Sequence, residues 1–288
     1  MEKHLIEEFI MKAPINKIIS FSNVDGPGNR CSIFFQGCPF SCLYCHNPET
    51  INECSNCGKC VSTCPTHALT FVDGVVRYDA SVCINCDTCI KVCDHLSSPK
   101  IQWLSVEELV DKIKAIRPFI RGITVSGGEC MLHADYLLAL FKQVKALGLT
   151  CLIDSNGGID FEKHQELLEI SDGVMLDVKA VSPIFHQRII HADNAVVLKN
   201  LNYLLHTHKL EEVRTVILPN QDEENRRSVE AISKLIKNQC RYKLLKYRYY
   251  GVRNAGIELF GQCIVEDEVL LHYQELCIAN GCETSVIV

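Results

Sequence analysis

The sequence lacks any long hydrophobic run, and it lacks an excess of positive charge. No stretch approaches the roughly 20 apolar residues that a transmembrane helix needs. The mixed-charge start, residues 1–12, has no apolar centre of the kind found in signal peptides. The formal net charge of −6 gives no electrostatic attraction to nucleic acid or to an anionic membrane surface. We therefore expect a cytoplasmic protein with neither nucleic acid nor a membrane as its partner.

Cysteine, by contrast, is abundant, with 18 among 288 residues. Because disulfides are rare in the reducing cytosol, clustered cysteines there indicate bound metal. Some cysteines belong to no cluster motif and lie mostly in apolar stretches. Free cysteine behaves there as a small hydrophobic residue, so we expect these cysteines in the core. These are Cys31, Cys130, Cys151, Cys240, Cys263, Cys277 and Cys282.

The first cysteine motif has only three members, Cys38, Cys42 and Cys45, at the spacing C-x-x-x-C-x-x-C. A structural zinc or a closed iron–sulfur cluster normally takes four protein ligands. Three thiolates can hold three irons of a 4Fe–4S cluster and leave the fourth without a protein ligand. An open position separates catalytic from structural metal sites. A zinc loop with a remote fourth ligand, or free buried cysteines, remain as alternatives.

The other clustered cysteines form an internal repeat, in which each half reads C-x-x-C-x-x-C-x-x-x-C. This is the pattern of bacterial ferredoxins with two 4Fe–4S clusters, where the fourth cysteine of each run ligates the other cluster. The first predicted cluster has Cys54, Cys57, Cys60 and Cys93. The second has Cys83, Cys86, Cys89 and Cys64. The second run continues with Asp94 where proline is usual, and a zinc ribbon is the alternative.

Beyond residue 100, short apolar strands alternate with amphipathic helices. A capping box, Ser105 to Glu108, opens a helix to about Arg117. Further helices are predicted at 135–147, 162–170, 196–205, 223–237 and 266–279. Strands are predicted at 31–36, 123–126, 150–154, 173–178, 213–218 and 242–247, before an apolar tail at 285–288. This alternation indicates an α/β fold with a parallel sheet of six β/α units.

In a β/α barrel, functional residues belong at the C-terminal ends of the strands. The three-cysteine loop follows the first predicted strand directly, so it falls at that end. The ferredoxin-like segment, residues 51–96, interrupts the first β/α unit and is predicted to be an insertion at a loop. Residues 1–50 and 97–288 then form the barrel domain.

Polar residues and glycines follow the other predicted strands. Gly127-Gly128-Glu129 combines close backbone approach with a carboxylate acceptor, although a tight turn explains the tripeptide equally well. Asp154 ends the third strand, and alternation points Asp177 and Lys179 to one side of the fourth. That last pair could also be a plain salt bridge. Together these groups match the needs of a zwitterionic, ribose-bearing ligand.

With these motifs the sequence resembles the radical S-adenosylmethionine (SAM) enzymes. The carriers are the three-cysteine loop with Tyr44 before its last cysteine, and Gly127-Gly128-Glu129. The stretches 24–30, 44–48, 154–157 and 177–179 narrow the resemblance to the activases of glycyl radical enzymes, the pyruvate formate-lyase-activating enzyme family. It covers essentially the whole chain. The insert and the stretch 247–252 are most similar to the YjjW type. The implied fold is a partial (β/α)6 radical SAM barrel with an inserted two-cluster ferredoxin domain.

The resemblance implies that Cys38, Cys42 and Cys45 bind a 4Fe–4S cluster whose free iron chelates SAM. The implied cofactor contacts are Tyr44, Cys45, His46, Gly127, Gly128, Glu129, Asp154, Ser155, Asp177, Val178, Lys179 and Arg248. Tyr44 and His46 would lie near the adenine. Asp154, Ser155, the Met175 carbonyl and Asp177 match positions that bind a monovalent cation in a relative.

Three further residues carry specific expectations. Asp25 would face the incoming glycyl loop of a partner, although a plain turn is an alternative for it. Arg248 stands where relatives often have a histidine, and an arginine there cannot titrate. Cys130 replaces the usual proline after Gly-Gly-Glu.

The implied function is activation of a partner glycyl radical enzyme. One-electron reduction would cleave SAM to methionine and a 5′-deoxyadenosyl radical, which takes a hydrogen from a backbone glycine of the partner. Three 4Fe–4S clusters are expected, the two in the insert relaying electrons from flavodoxin or ferredoxin, with docking or a structural role as the alternative. A radical SAM enzyme acting on a small molecule, or a non-catalytic electron carrier, are the competing interpretations.

Overall fold

The structure is a computed structural model that describes residues 11–288. The prediction that the first 12 residues are not a signal peptide, and the start of the predicted first domain, fall largely outside this range. Within it, no helix is both long and apolar enough to cross a membrane.

One curved sheet of nine strands forms the centre of the described chain. The strands are β1 Lys12–Ser22, β2 Arg30–Phe35, β5 Gln102–Ser105, β6 Gly122–Gly127, β7 Thr150–Ser155, β8 Gly173–Asp177, β9 Leu210–Ile217, β10 Arg241–Lys246 and β11 Ser285–Ile287. Their order is β11-β10-β9-β8-β7-β6-β2-β1-β5. Each neighbouring pair among β2, β6, β7, β8, β9, β10 and β11 runs parallel. β1 pairs antiparallel with both β2 and β5. The two sheet ends do not pair, so the barrel is open.

Helices connect the parallel strands and cover one face of the sheet. They are α2 Val106–Ile116, α3 Ala134–Ala146, α4 Gln165–Ile170, α5 Pro183–Ile190, α6 Ala195–His206, α7 Asp222–Ile236, α8 Asn254–Phe260 and α9 Asp267–Ala279, after the one-turn α1 Thr88–Lys91 in the insert. The capping box is confirmed: the Ser105 hydroxyl accepts from the backbone of Glu108, whose carboxylate accepts from Ser105 N.

The predicted α/β architecture with a parallel sheet is confirmed, with corrections at its edges. The sheet is mixed, because β1 pairs antiparallel with β2 and β5 pairs antiparallel with β1. The helix predicted at 162–170 begins only at Gln165, after a 3-10 turn that Asp160 caps. The strand predicted from residue 213 begins at Leu210, and the apolar tail is a strand paired with β10. Helices α5 and α8 were not predicted.

The segment 51–96 leaves and rejoins the main body at one place. A parallel bridge joins Asn52 to Ser97, and Asn52 N donates to Leu96 O over 3.1 Å. Between them lies a separate hairpin of β3 Leu69–Val72 and β4 Val75–Tyr78. The segment has its own small core around Cys60, Leu69 and Cys89. Its assignment as an inserted ferredoxin domain stays a prediction.

Candidate active site

The three-cysteine loop starts at the C-terminal end of β2 and is fixed there by one buried amide. Gln36 is 1% exposed, and its side-chain oxygen accepts from Asn16 Nδ2 at 2.7 Å. Its Nε2 donates to the carbonyls of Glu49 (2.7 Å) and Asn52 (2.6 Å). The same side chain therefore ties the start of the loop to β1 and to the chain that leaves the loop.

Backbone hydrogen bonds close the base of the loop. Gly37 N donates to Thr50 O and Cys38 N to Ile51 O, each over 2.9 Å. On the other side, Glu129 N donates to Gly37 O over 2.8 Å. The loop thus lies between the end of β6 and the start of the insert.

The middle of the loop is held by a helix end and a distant arginine. The backbone N–H groups of Ser41 and Leu43 donate to the last carbonyls of α5, at 3.1 and 2.9 Å. The Arg253 guanidinium donates to Ser41 O (3.0 Å) and Cys42 O (2.9 Å). Since Arg253 is more than 200 residues away, no local sequence pattern indicates this contact.

The three thiols of the loop are held in a dry environment. Cys42 is buried, and Cys38 and Cys45 are half-buried. Burial raises the pKa of Cys38 and of Cys42 to about 12. The Cys38 sulfur lies 3.4 Å from Phe40 N and from Asn156 Nδ2, two donors that favour a thiolate. Such thiols lose their protons when they bind a metal cation such as iron, because the metal displaces the proton.

Tyr44 and His46 extend this loop toward α8 and the segment before it. Tyr44 is 4% exposed, its ring packs edge-on against Phe260, and its hydroxyl has no hydrogen-bond partner among the described residues. The His46 Nε2 lies 2.8 Å from the carbonyl of Arg248. Arg248 therefore contacts the loop through its backbone, while its side chain is exposed.

Gly127 and Gly128 allow the end of β6 to press against the cysteine loop. A Cβ atom built on Gly128 would lie 2.2 Å from Gly37 O and 2.7 Å from Thr50 O. Gly127 has a φ of +126°, and its Cβ would lie 2.2 Å from Phe35 N. A side chain at either position would push the loop away from the sheet.

Glu129 is 1% exposed, and protein donors contact both of its carboxylate oxygens. Oε1 accepts from Met131 N (3.0 Å) and from the Ser155 hydroxyl (2.9 Å). Oε2 accepts from Asn156 N over 2.8 Å. Glu129 thus ties the end of β6 to the end of β7, and its contact with a cofactor stays a prediction, as does that of Ser155.

Glu129 should make the stability of the protein depend on pH. Burial raises its pKa to about 7, against 4.5 for the free residue. The folded state then binds the proton more tightly than the unfolded state, so stability falls as pH rises from about 4.5 to about 7, by about 3 kcal/mol at most. We expect the anaerobic melting temperature to fall across this window, and Glu129→Gln to flatten the slope. An equally steep slope in the variant would contradict this assignment.

The concave face of the sheet carries a charged network that continues the site. Asp154 Oδ1 pairs with Arg214 at 3.0 Å, and Oδ2 accepts from the Ser126 hydroxyl at 2.9 Å. Arg214 also pairs with Glu212 at 2.5 Å. Burial alone would lower the pKa of Arg214, but the carboxylates of Asp154, Asp177 and Glu212 raise it overall, so the guanidinium stays charged.

Arg214 was not predicted as a site residue, because the strand predicted at 213–218 left Glu212 outside it. The alternation Glu212-x-Arg214 is the available signal, since side chains two apart in a strand share a face. Which carboxylate Arg214 meets depends on the neighbouring strand, which one sequence does not specify.

Asp177 and Lys179 follow β8 and form the predicted pair. Lys179 Nζ lies 2.6 Å from Asp177 Oδ2. The other carboxylate oxygen, Oδ1, is buried and has no hydrogen-bond partner in residues 11–288. Val178 is fully buried, and its backbone pairs with β9. The pair therefore leaves one acceptor oxygen for a ligand.

Asp25 lies in the turn between β1 and β2. Its Oδ2 accepts from the hydroxyls of Ser22 (2.6 Å) and Ser32 (2.7 Å), and its carbonyl accepts from the Thr124 hydroxyl (2.6 Å). These contacts attach the turn to β2 and β6. Whether Asp25 also meets a partner stays a prediction.

Several cysteines of the insert lie near one another. Burial, together with the nearby thiols of Cys54, Cys89 and Cys93, raises the pKa of Cys60 to about 11. Cys64, Cys83, Cys86 and Cys89 line a single cavity. In residues 11–288, no three side chains of His, Cys, Asp or Glu meet closely enough to hold a single metal ion. The division of these cysteines between two clusters, with Cys64 and Cys93 exchanging partners, stays a prediction.

Comparison with known proteins identifies the family. A family model described as the Radical SAM superfamily matches residues 32–236. A putative glycyl-radical enzyme activating enzyme of Haemophilus influenzae is 32% identical, over 93% of this chain and 94% of its own length. The chain belongs to the radical SAM glycyl-radical enzyme activating enzymes.

Other similarities agree with membership of this activating-enzyme family. The indoleacetate decarboxylase activating enzyme of Tractidigestivibacter scatoligenes is 30% identical, over 69% of this chain and 70% of its own. The crystal structure of QueE from Escherichia coli covers 96% of this chain, and 94% of that chain is matched, with a TM-score of 0.52 at 16% identity. The QueE likeness shows the fold alone.

A radical SAM enzyme uses a 4Fe–4S cluster and SAM, and the residues present fit both. The loop supplies three thiols with two donors onto one sulfur. The unpartnered oxygen of Asp177 fits an ammonium or hydroxyl group of SAM.

Proposed function

We propose that this chain is a cytoplasmic, YjjW-type activating enzyme that places a radical on a backbone glycine of a partner glycyl radical enzyme. The observation that carries the proposal is the position of the three-thiol loop. It lies at the C-terminal strand ends, close enough to Asp177 for that carboxylate to act on Cys42, and one Asp177 oxygen is buried without a partner among the described residues. A pure electron carrier needs neither an open iron nor a ligand site beside it.

The residues of the loop would hold the cluster, and those of the strand ends would hold SAM. Cys38, Cys42 and Cys45 would be the three ligands, and the bound cluster and SAM would supply a 5′-deoxyadenosyl radical. Asp177 would accept from SAM through its free oxygen, while Lys179 keeps the other oxygen occupied. The buried Tyr44 would exclude water from the loop.

A monovalent cation remains part of the proposal. Its implied ligands are Asp154, Ser155, the Met175 carbonyl and Asp177. Arg214 already places a positive charge on one oxygen of Asp154, and Ser155 donates to Glu129. Asp177 is therefore the carboxylate with most room for a cation or for SAM itself.

The insert, residues 51–96, would hold two further 4Fe–4S clusters and relay electrons from flavodoxin or ferredoxin. Its support is the arrangement of the cysteines and its attachment to the active-site loop. Ile51 O accepts from Cys38 N, and Cys54 follows only three residues later. Since three residues span at most about 11 Å, the first insert cluster would lie close to the SAM cluster.

Anaerobic reconstitution tests this function. With SAM and dithionite we expect 5′-deoxyadenosine, and on addition of a candidate partner glycyl radical enzyme we expect a glycyl radical signal by EPR. No 5′-deoxyadenosine would leave only an electron carrier. Production of 5′-deoxyadenosine without any glycyl radical would favour a small-molecule substrate.

A further inference from the structure

The two halves of the insert repeat are alike in sequence spacing but differ in charge. Each cysteine of the first run has its equivalent 29 residues later, from Cys54 and Cys83 to Cys64 and Cys93. The backbone repeats as well, since Asn56 and Asn85 share the left-handed φ of 55° and 54°. The repeat therefore allows a position-by-position comparison of the two cluster sites.

One pair of equivalent positions breaks the symmetry. In the first half, the ring of Phe71 packs over Gly58, where an added Cβ would lie 3.4 Å from the ring. In the second half, the equivalent residues are Lys100 and Asp87, and Lys100 Nζ pairs with Asp87 Oδ1 at 2.6 Å. An apolar contact beside one cluster site is thus replaced by an ion pair beside the other.

The two charges of this ion pair do not cancel each other at the cysteine thiols. Lys100 is 13% exposed and Asp87 54% exposed, so water screens the carboxylate more than the ammonium. Both line the cavity shared by the four thiols of the second cluster site.

The first cluster site differs in the exposure of its charges. Its nearest described ion pair, Lys59 with Asp94, is 55% and 76% exposed. Charges so open to solvent act weakly on a cluster, because water and salt screen them.

We propose that Lys100 raises the reduction potential of the cluster held by Cys64, Cys83, Cys86 and Cys89 above that of the cluster held by Cys54, Cys57, Cys60 and Cys93. The inference rests on the proposed function, since it requires both insert clusters. A cluster that accepts one electron gains one negative charge, and a nearby cation stabilises that state. The electron comes from a low-potential one-electron donor, reduced flavodoxin or ferredoxin. The second cluster would then be reduced before the first and would hold the electron.

An EPR-monitored redox titration of the reconstituted full chain tests the proposal. The variants are Lys100→Met, which removes the cation at similar size, and Asp87→Asn, which removes the opposing carboxylate. Lys59→Met is the matched control beside the first cluster. Each is also prepared with Cys57→Ala, which impairs the first cluster and isolates the signal of the second.

We expect Lys100→Met to lower the ratio of reduced to oxidised second cluster by roughly tenfold at a fixed potential. We expect Asp87→Asn to raise it, and Lys59→Met to leave it unchanged. If the ion pair were merely structural, Lys100→Met and Asp87→Asn would shift the ratio of reduced to oxidised second cluster in the same direction. That result, or an unchanged ratio in both variants, overturns the proposal. Iron analysis separates the two levels. Iron for one cluster only would overturn the insert clusters themselves, whereas iron for three with unshifted midpoints would overturn only the role of Lys100.

Discussion

In the Cys42→Ala variant, formation of 5′-deoxyadenosine from SAM and dithionite is expected to fall by more than about a hundredfold. Cys42 is buried at the centre of the loop, with a donor from Arg253 on its carbonyl. Two thiols cannot hold the three irons that leave one position open for SAM. Product formation is measured by chromatography under anaerobic conditions.

The insert provides the internal control for this loss. If its clusters form independently, the variant should keep their iron and their EPR signals while losing the SAM-dependent chemistry. Cys263→Ala is the matched substitution, since Cys263 lies outside every motif and its thiol donates to Phe260 O. The prediction that Cys263 lies in the core was wrong, because the residue is exposed. Cys263→Ala should leave activity unchanged. If the Cys42→Ala variant formed as much 5′-deoxyadenosine as the wild type, this loop would not hold the catalytic cluster.

The elements predicted from sequence are those in which local signals and tertiary packing agree. The helix after Ser105 has its capping box, and the strand at residues 150–154 is a continuous apolar run that lies in the sheet interior. The strands β1 and β5 at one end of the sheet were missed for the opposite reason. β1, with Lys12, Lys17 and exposed Phe21, is partly open to solvent and has a bulge, so its periodicity is weak.

The site was predicted as a set of residues, but its contacts were not. The cysteine spacing is local and can be read from the chain. Glu129 was predicted as an acceptor for the ligand, yet the pairing of β6 with β7 puts Ser155 and Asn156 next to it and occupies both oxygens. Arg253 and Arg214 reach the site through tertiary packing, which no short pattern encodes.

Glycine contacts illustrate the same limit at the level of single atoms. The sequence indicates that a Gly-Gly pair permits close approach, but it does not say to what. The structure shows that the approach is to the protein's own cysteine loop, because Gly37 O lies against Gly128 and also accepts from Glu129 N. The pair therefore determines how the loop sits on the sheet, in addition to any contact with SAM.

Gly128→Ala should consequently destabilise the protein by about 3 kcal/mol, the upper range for overpacking, and lower its melting temperature by about 6 °C. The added Cβ meets backbone oxygens of Gly37 and Thr50, which cannot turn aside as a flexible side chain would. To relieve the clash, the base of the loop must separate from β6. The SAM cluster should then be lost to a chelator faster than in the wild type.

Gly74→Ala is the control that separates this clash from backbone strain. Gly74 has a φ of +79° with nothing within 4 Å of an added Cβ, so alanine there is strained but meets no neighbour. We expect a cost of about 1 kcal/mol and full retention of the SAM cluster. Because Gly128 has no positive φ in the left-handed region, its effect should come from contact alone. If Gly128→Ala lost no more stability or iron than Gly74→Ala, the loop would not depend on this close packing.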